Sequence, residues 1–519
     1  MNNDNIKKYA LLLISIFSFF LGVLIFFQVY IDDAFIFFKY GYNLVNHGIW
    51  SWSIEGKPAE AYTSFIYAVL SIFPVLLHVP PHIFIKVVGL LFLLALLFRV
   101  YSKISNKKWA LIAMLVITTN WQLYTHAFSG LETVLWLWLL LESFFLIEKE
   151  ELTVKNQMLL WMICLLMTLT RPEGAIYGFF FFVYLVFYKK QKLHYGVLAT
   201  LIFIGILYFA ARFAYFGLPF PLPFYHKLMD SRFAKLAWIF NIYTSWYYII
   251  CATLVLYFFR KHKVIYFIGI ITFLIFIGLY LRAFLVMNFA DRFPFQLFWP
   301  FILFALIKLE KSTYVDKVKI VLIACFLNMI IFSKGLYDEN LIELASITNN
   351  AGAAFFLPRS HYILAKNINK IKDVERKKLK VLFGDAGMFP YYVKAQCYDY
   401  NGLVDAEIAI NKLDKKYFYS KQADIVLIGT PNENKIGLKQ DLSNCKTIYE
   451  YVESDSTYKY VGKVISKVNG YYVHIYFNTK SSYAKDVETA LNNAVTESAN
   501  AQFRIKRFLK LKYLDLENI

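Results

Sequence analysis

Long apolar runs alternate with short clusters of Lys and Arg along the first two thirds of this chain. An α-helix rises about 1.5 Å per residue, so about 20 consecutive apolar residues suffice to cross the hydrocarbon core of a bilayer. Inside a bilayer every backbone N–H and C=O must find its partner within the protein, and a helix achieves this within one segment. The repeated pattern therefore predicts a polytopic α-helical membrane protein. Composition agrees: 59% of the 519 residues are hydrophobic and 19% aromatic, against about 45–50% apolar in soluble domains. The formal charge of +19 would suit a nucleic-acid partner if it formed one basic surface. It is divided instead among the clusters between apolar runs, where Lys and Arg orient spans, and no nucleic-acid partner is expected.

The first run, residues 10–29, follows Lys7 and Lys8 and ends in Phe27-Gln28-Val29-Tyr30, without the small residues of a cleavage site. It reads as an uncleaved span with the N-terminus cytoplasmic. Placing Lys103, Lys107, Lys108, Lys149, Lys155, Lys189, Lys190, Lys192, Arg260, Lys261, Lys263, Lys311, Lys317 and Lys319 on one side requires residues 62–78 to be re-entrant or interfacial. Further spans are then expected over 83–101, 109–125, 131–147, 157–170, 174–188, 194–216, 238–259, 264–285, 296–308 and 317–333, about eleven in all. An odd count puts the rest of the chain outside. Residues 1–333 thus form a transmembrane domain. Residues 334–480, with strand-like runs such as Val381-Leu382-Phe383 and Ile425-Val426-Leu427-Ile428, form an extracytoplasmic α/β domain. Residues 481–519 form an amphipathic helical tail whose basic end, Arg504 to Lys512, suits either anionic lipid or solvent. Cys164, Cys251 and Cys325 lie in apolar runs as packing residues; Cys397 and Cys445 are open to either a disulfide or two thiols.

This threading gathers the unusual polar clusters at one membrane surface: Asp32-Asp33, Ser129-Gly130-Leu131-Glu132, Arg171-Pro172-Glu173-Gly174, residues 221–227 and residues 288–293. Charges at a membrane boundary are costly unless paired or functional, so five clusters at one level predict a shared polar cavity. If residues 34–47 are helical, Asp32, Lys39, Asn43 and Asn46 share one face, while Phe35, Phe38 and Val45 suit the membrane surface. The acidic pair then serves either as a cap for that helix or as a catalytic carboxylate. Transfer of a glycosyl group from a lipid phosphate needs a base for the acceptor hydroxyl, for which Asp32 and Asp33 are candidates. It also needs cations for the leaving phosphate, which Arg171, His226, Lys227 and Arg292 would supply. Each arginine also has an acidic neighbour to pair with: Glu173 beside Arg171, and Asp291 beside Arg292.

Asp32-Asp33-Ala34-Phe35-Ile36, with Lys39-Tyr40 and Asn43-Leu44, resembles the first outer loop of a bacterial group of GT-C glycosyltransferases. That group includes the mycobacterial arabinofuranosyltransferase AftB and the LphB-like proteins. Glu60-Ala61-Tyr62-Thr63-Ser64, Ser129-Gly130-Leu131-Glu132-Thr133, Thr170-Arg171-Pro172-Glu173-Gly174, residues 288–293, Asp385-Ala386-Gly387, Tyr391-Tyr392 and Gly402-Leu403-Val404-Asp405 continue the likeness in order. Ala61 stands where the group has Gly, and Pro223-Phe224-Tyr225-His226-Lys227 only loosely follows its donor loop. The resemblance implies a GT-C fold, a polyprenyl-phosphate sugar as donor and an inverting mechanism with Asp32 as general base. Asp33 would orient the acceptor or hold a cation, and Lys39, Asn43, Glu60, Tyr62, Glu132 and Glu173 would line the substrate site. The C-terminal domain would bind a glycan acceptor or act as a lid. The resulting expectation is a glycosyltransferase in the bacterial cytoplasmic membrane, among membrane lipids. A transporter or flippase for a lipid-linked saccharide is the alternative, and a non-catalytic scaffold a third reading. Two adjacent carboxylates with no further acidic cluster make a thin divalent-metal site, so metal-independent chemistry is expected.

Overall fold

A computed structural model of the protein describes residues 3–27, 31–228, 231–281, 288–308, 310, 313–337, 359–372, 378–430, 432–435, 444–466 and 471–500. The N-terminal part is helical throughout. It comprises α1 (Asn3–Phe26), α2 (Ala34–His47), α3 (Phe65–Leu70), α4 (Ile72–Leu76), α5 (Pro81–Lys103), α6 (Lys107–Thr118), α7 (Trp121–Phe128) and α8 (Thr133–Glu148). These are followed by α9 (Val154–Thr170), α10 (Glu173–Val183), α11 (Tyr195–Phe216), α12 (Leu222–Leu228), α13 (Ser231–Phe258), α14 (Lys263–Ile275), α15 (Arg292–Lys308) and α16 (Tyr314–Tyr337). Single π-turns, Tyr184–Tyr188 and Phe276–Tyr280, extend α10 and α14.

Among the described residues, five helices are long and apolar enough to cross a bilayer: α1, α5, α11, α14 with its extension, and residues 289–308. The pair α7 and α8, bent by 115° at its break, makes a sixth if it is one span. Their surfaces fit that medium. Phe17 and Phe20 of α1 and Phe203 and Ile206 of α11 are exposed, an arrangement that lipid tolerates and water penalises. By contrast α15 is apolar nearly all round and buried from Arg292 to Ile307, as befits the central helix of a bundle. The protein is thus a membrane-embedded helical protein.

Two expectations need correction here. The run 109–125 is not one continuous helix. The Asn120 side chain accepts from Leu123 N (3.0 Å) and so caps α7, while its amide donates to Asn328 Oδ1 on α16 (2.8 Å), breaking the run after α6. The Phe35 and Phe38 face of α2 does not lie on membrane. Both rings are buried against Tyr391, and Phe35 also against Tyr392, because a larger apolar surface from the C-terminal domain covers them. Residues 62–78 do form two short helices, α3 and α4, rather than a span.

The basic turns converge at one end of the bundle. Lys308 pairs with Glu148, Arg99 pairs with Glu142, and Lys189 Nζ donates to the carbonyls of Ile147 (2.9 Å) and Glu148 (3.2 Å). Glu310 accepts from the backbone N–H groups of Ser105 and Asn106. The C-terminal domain sits at the opposite end, with α17 (Arg359–Asn369), β1 (Lys380–Phe383), α18 (Met388–Tyr392), β2 (Gln396–Asp399), α19 (Ala406–Asn411) and α20 (Lys415–Lys421). It is completed by β3 (Ile425–Thr430), α21 (Asn444–Ser454), β4 (Tyr458–Ser466), β5 (Tyr471–Asn478) and α22 (Ala484–Asn500). Its sheet runs β2-β1-β3-β5-β4, with β2, β1 and β3 parallel and β5 and β4 an antiparallel pair beyond them. Alternate residues of the parallel strands enter two different cores. Val381, Phe383, Ile425 and Leu427 join the core continuous with the membrane helices, whereas Leu382, Val426 and Ile428 pack with Phe418 and Ile448. Cys397 and Cys445 are separate buried thiols, in different cores. The basic residues 504–512 lie outside the described residues.

Candidate active site

The backbone first brings two loops together. Ile31 N donates to Ser129 O (3.1 Å), so the turn before α2 lies against the loop that opens α8. Gly130 has a φ of +83°, and a Cβ there would press on that of Ala34, so the approach needs glycine. Asp33 occupies the cap position of α2, where its side chain makes no cap hydrogen bond.

Asp32 faces the C-terminal domain. Its Oδ1 accepts from Met388 N (2.8 Å) at the start of α18 and lies 3.6 Å from His361 Nδ1. His361 Nε2 lies 2.9 Å from Asp385 Oδ2. Gly387 packs so closely on Asp32 that a Cβ would overlap both its carbonyl and its carboxylate. The contact falls where β1 ends, between two parallel neighbours reached by connections of opposite direction, the crevice that open α/β sheets use for ligands. Burial opposes a charge on His361, but Asp32 and Asp385 outweigh it and raise its pKa to about 9. Lys39 Nζ donates to Pro390 O (2.5 Å) and lies over the Trp52 ring; burial lowers its pKa. Trp52 Nε1 donates to Ala386 O (3.0 Å).

Beside the turn that carries Asp32, across the Ile31–Ser129 bond, is a second centre. Glu132 Oε1 accepts from Arg171 Nη1 and from Arg292 Nη2, each at 2.6 Å. Arg171 Nη2 also reaches Glu173 Oε1 (3.0 Å), which accepts from Tyr280, and Gln296 Nε2 donates to Tyr280 OH (2.9 Å). All four charged side chains are buried. The charge of Asp33 also acts on Arg292, so the acidic pair is divided between the two centres. Five polar atoms of this cluster, Glu132 Oε2, Glu173 Oε2, Gln296 Oε1 and Nε of each arginine, have no hydrogen-bond partner among the described residues. Buried groups in that condition are costly unless water or a ligand meets them.

Arg171 pairs with Glu173 as its neighbouring position predicts. Arg292 pairs with Glu132 and not, as its neighbour would suggest, through Asp291 alone. Ala290 and Asp291 take positive φ values of 45° and 50°, and this left-handed turn aims the Asp291 carboxylate at Gln122 and Tyr247. Two consecutive non-glycine residues in that region hold about 1–3 kcal/mol of strain each, a feature that concentrates at functional sites.

Other predicted residues serve the frame. Asn43 donates to the carbonyls of Ser51 (2.8 Å) and Trp52 (2.9 Å) and shapes the loop after α2. Glu60 pairs with Arg212 of α11, whose Nη1 donates to Pro219 O (2.7 Å), and Tyr62 OH accepts from Trp50 Nε1 (2.8 Å). These residues tie loop 50–62 to α11. The side chains of His226 and Lys227, on α12, lie outside the described residues. Asp405 caps α19, accepting from Glu407 N (2.9 Å) and Ile408 N (3.3 Å). Asp399 holds the preceding loop through Asn401 N (2.7 Å) and Val404 N (3.0 Å), with burial pushing its carboxyl up to about 7.

Sequence reasoning passed over His361, Arg212, Tyr280 and Gln296. Arg212 carried a usable signal, an arginine inside an apolar span. His361 carried none, since its partners are far away in the chain. Among the described residues no three His, Cys, Asp or Glu side chains converge as metal ligands. The fold and site together define a membrane-embedded helical protein with a charged centre under an α/β domain. Neither family models nor curated proteins give a match to the chain.

Proposed function

We propose that the protein is an inverting glycosyltransferase of the GT-C kind, with about eleven spans. It would move a sugar from a polyprenyl-phosphate donor to a cell-envelope glycan or lipid-linked acceptor at the outer face of a bacterial cytoplasmic membrane. One observation carries this reading: Asp32, at the domain junction, lies on a turn held by the Ile31 N–Ser129 O bond against the loop of Glu132, the pivot of a buried double-arginine centre with unsatisfied polar atoms. The chemistry needs that juxtaposition. As the acceptor oxygen bonds to the anomeric carbon, the bond from that carbon to the phosphate oxygen breaks. The hydroxyl proton passes to Asp32, and the electron pair leaves with the phosphate. Arg171 and Arg292 would meet the new phosphate charge with their free Nε–H donors, sharing Glu132 as counter-ion until it arrives. The resemblance of the Asp32-Asp33 loop and the arginine motifs to that family supports the same roles.

A lateral groove supports a lipid donor. A cavity of about 420 Å³ lies between α9, α10 and α11, lined by Trp161, Cys164, Thr168, Gly174, Gly178 and Gly205 among other nearly all apolar groups. Gly174 follows Glu173 in the chain, so the groove begins beside the arginine centre, and it borders the exposed Phe179 and Ile202 on the lipid side. Such a trough suits an isoprenoid chain whose phosphate reaches Arg171.

In lipid discs with polyprenyl-phosphate sugars and an envelope glycan extract, the chain is expected to release free polyprenyl phosphate only when acceptor is present. Mass spectrometry measures the release, and Asp32→Asn is expected to lower it by roughly 10²–10⁴-fold. Movement of the intact donor across a vesicle membrane, without release of phosphate, would put a flippase in its place.

A further inference from the structure

His361 belongs to the C-terminal domain and Asp32 to the membrane domain, yet no side chain stands between them. The imidazole, 1% exposed, lies with Nδ1 3.6 Å from Asp32 Oδ1 and Nε2 2.9 Å from Asp385 Oδ2. The edge-on ring of Phe383, 5.0 Å away at 87°, fixes its plane. Asp32 is gripped from the same domain by Met388 N (2.8 Å), and Gly387 packs directly against it. Imidazolium is a compact side chain with two N–H groups at opposite edges, so it can serve two carboxylates at once.

We propose that His361 is a positioning residue for Asp32: backed by Asp385, it bridges the two domains and fixes the carboxylate that takes the acceptor proton. The proposal rests on the glycosyl-transfer reading for its catalytic consequence, and on geometry alone for the bridge. Docking of the C-terminal domain then completes the base, beyond any part the domain plays in holding an acceptor.

The charged groups acting on His361 are Asp32 from the turn before α2 and Asp385 from the loop after β1. α22, also packed on α17, contributes Glu497, which pairs with Lys366 more than a turn along (3.2 Å). Lys39 stands at the same junction, bonded to Pro390 O. With its pKa up at about 9, His361 is protonated at neutral pH; the bridge is intact there and is lost as pH rises through 9.

The test uses the full chain in lipid discs with carbon-13-labelled histidine, the His361 signal being assigned by its loss in His361→Gln. Titration near 9 is expected, falling toward the ordinary range of about 6.5 in Asp385→Asn and in Asp32→Asn. In parallel, polyprenyl-phosphate release by the natural chain is expected to decline above about pH 9, whereas His361→Gln is roughly a hundredfold slower and lacks that decline. Lys39 is unchanged in that variant, so a decline that survives in His361→Gln belongs to Lys39 and overturns the role. A natural chain titrating in the ordinary range overturns the bridge itself. Should the natural chain release no phosphate, the glycosyl-transfer reading falls, and the response of the His361 titration to Asp32→Asn still decides the bridge. Asp385→Asn serves for both readouts if His361→Gln does not fold.

Discussion

Asp32 and Asp33 are neighbours in the chain, yet one meets the C-terminal domain and the other acts on Arg292. Glu132 is the pivot between the arginines, since one oxygen serves both. Glu132→Gln would remove the carboxylate that both buried guanidinium groups share, leaving Glu173 to Arg171 and the Asp33 charge to Arg292; removing one partner of a buried pair typically costs about 3–5 kcal/mol. Its thermal unfolding midpoint in detergent is therefore expected to fall well below that of the natural chain; an unchanged midpoint would show that water already screens the site. His361 gives a pH dependence of opposite sense to the usual carboxylate. Its folded pKa is raised to about 9, so its stabilisation is full below about 6.5 and disappears as pH climbs through 9. The unfolding midpoint of the natural chain should drop between about pH 7 and 9.5, and that of His361→Gln should drop less. Of these residues, the acidic pair and the arginine motifs were legible as polar outliers in apolar sequence. Their partners were not, because Glu132–Arg292 and Asp32–His361 are pairings across long stretches of chain.

Helix α2 behaves differently from what its own periodicity implies. Its aromatic stripe marks a buried face correctly, but hydrophobicity alone cannot say whether lipid or protein does the burying. Here Tyr391 and Tyr392 of α18 cover it. Gly387→Val would drive a side chain into Asp32 and should lift α18 off α2. Hydrogen exchange at residues 388–392 is expected to speed up in that variant, and wild-type protection there would mean that the junction adapts. The groove between α9, α10 and α11 depends on small residues in the same way. Gly178→Leu should fill it, raising KM for the lipid donor several-fold with kcat little changed; an unaltered KM would send the isoprenoid chain elsewhere.

Across the whole molecule, charge is sorted by end. Lys189, Lys308 and Arg99 gather at one end of the bundle, while Glu132, Arg171, Arg292 and the C-terminal domain occupy the other. In the proposed topology the basic end is the cytoplasmic one, as the positive-inside rule would have it. Single cysteines at Lys107 and Lys394, introduced without the native five, should be labelled from opposite sides of sealed vesicles by a membrane-impermeant maleimide. Labelling from the same side would overturn both the odd span count and an extracytoplasmic site.

Apolar length and basic punctuation alone determined that this chain lies in a membrane, roughly where its helices run, and that a sheet domain follows. Those features are local: a span needs only its own residues, and a strand declares itself by alternation. Even the break at Asn120 had a local cause, visible in the polar run Thr118-Thr119-Asn120 inside an apolar stretch. Tertiary structure decided which charges meet. Whether Glu60 touches ligand or Arg212, whether Asn43 faces a cavity or a carbonyl, and whether His361 is a surface histidine or the neighbour of Asp32 depends on groups from distant segments. A buried charge is stable only beside its partner, and the fold, not the order of residues, brings that partner to it.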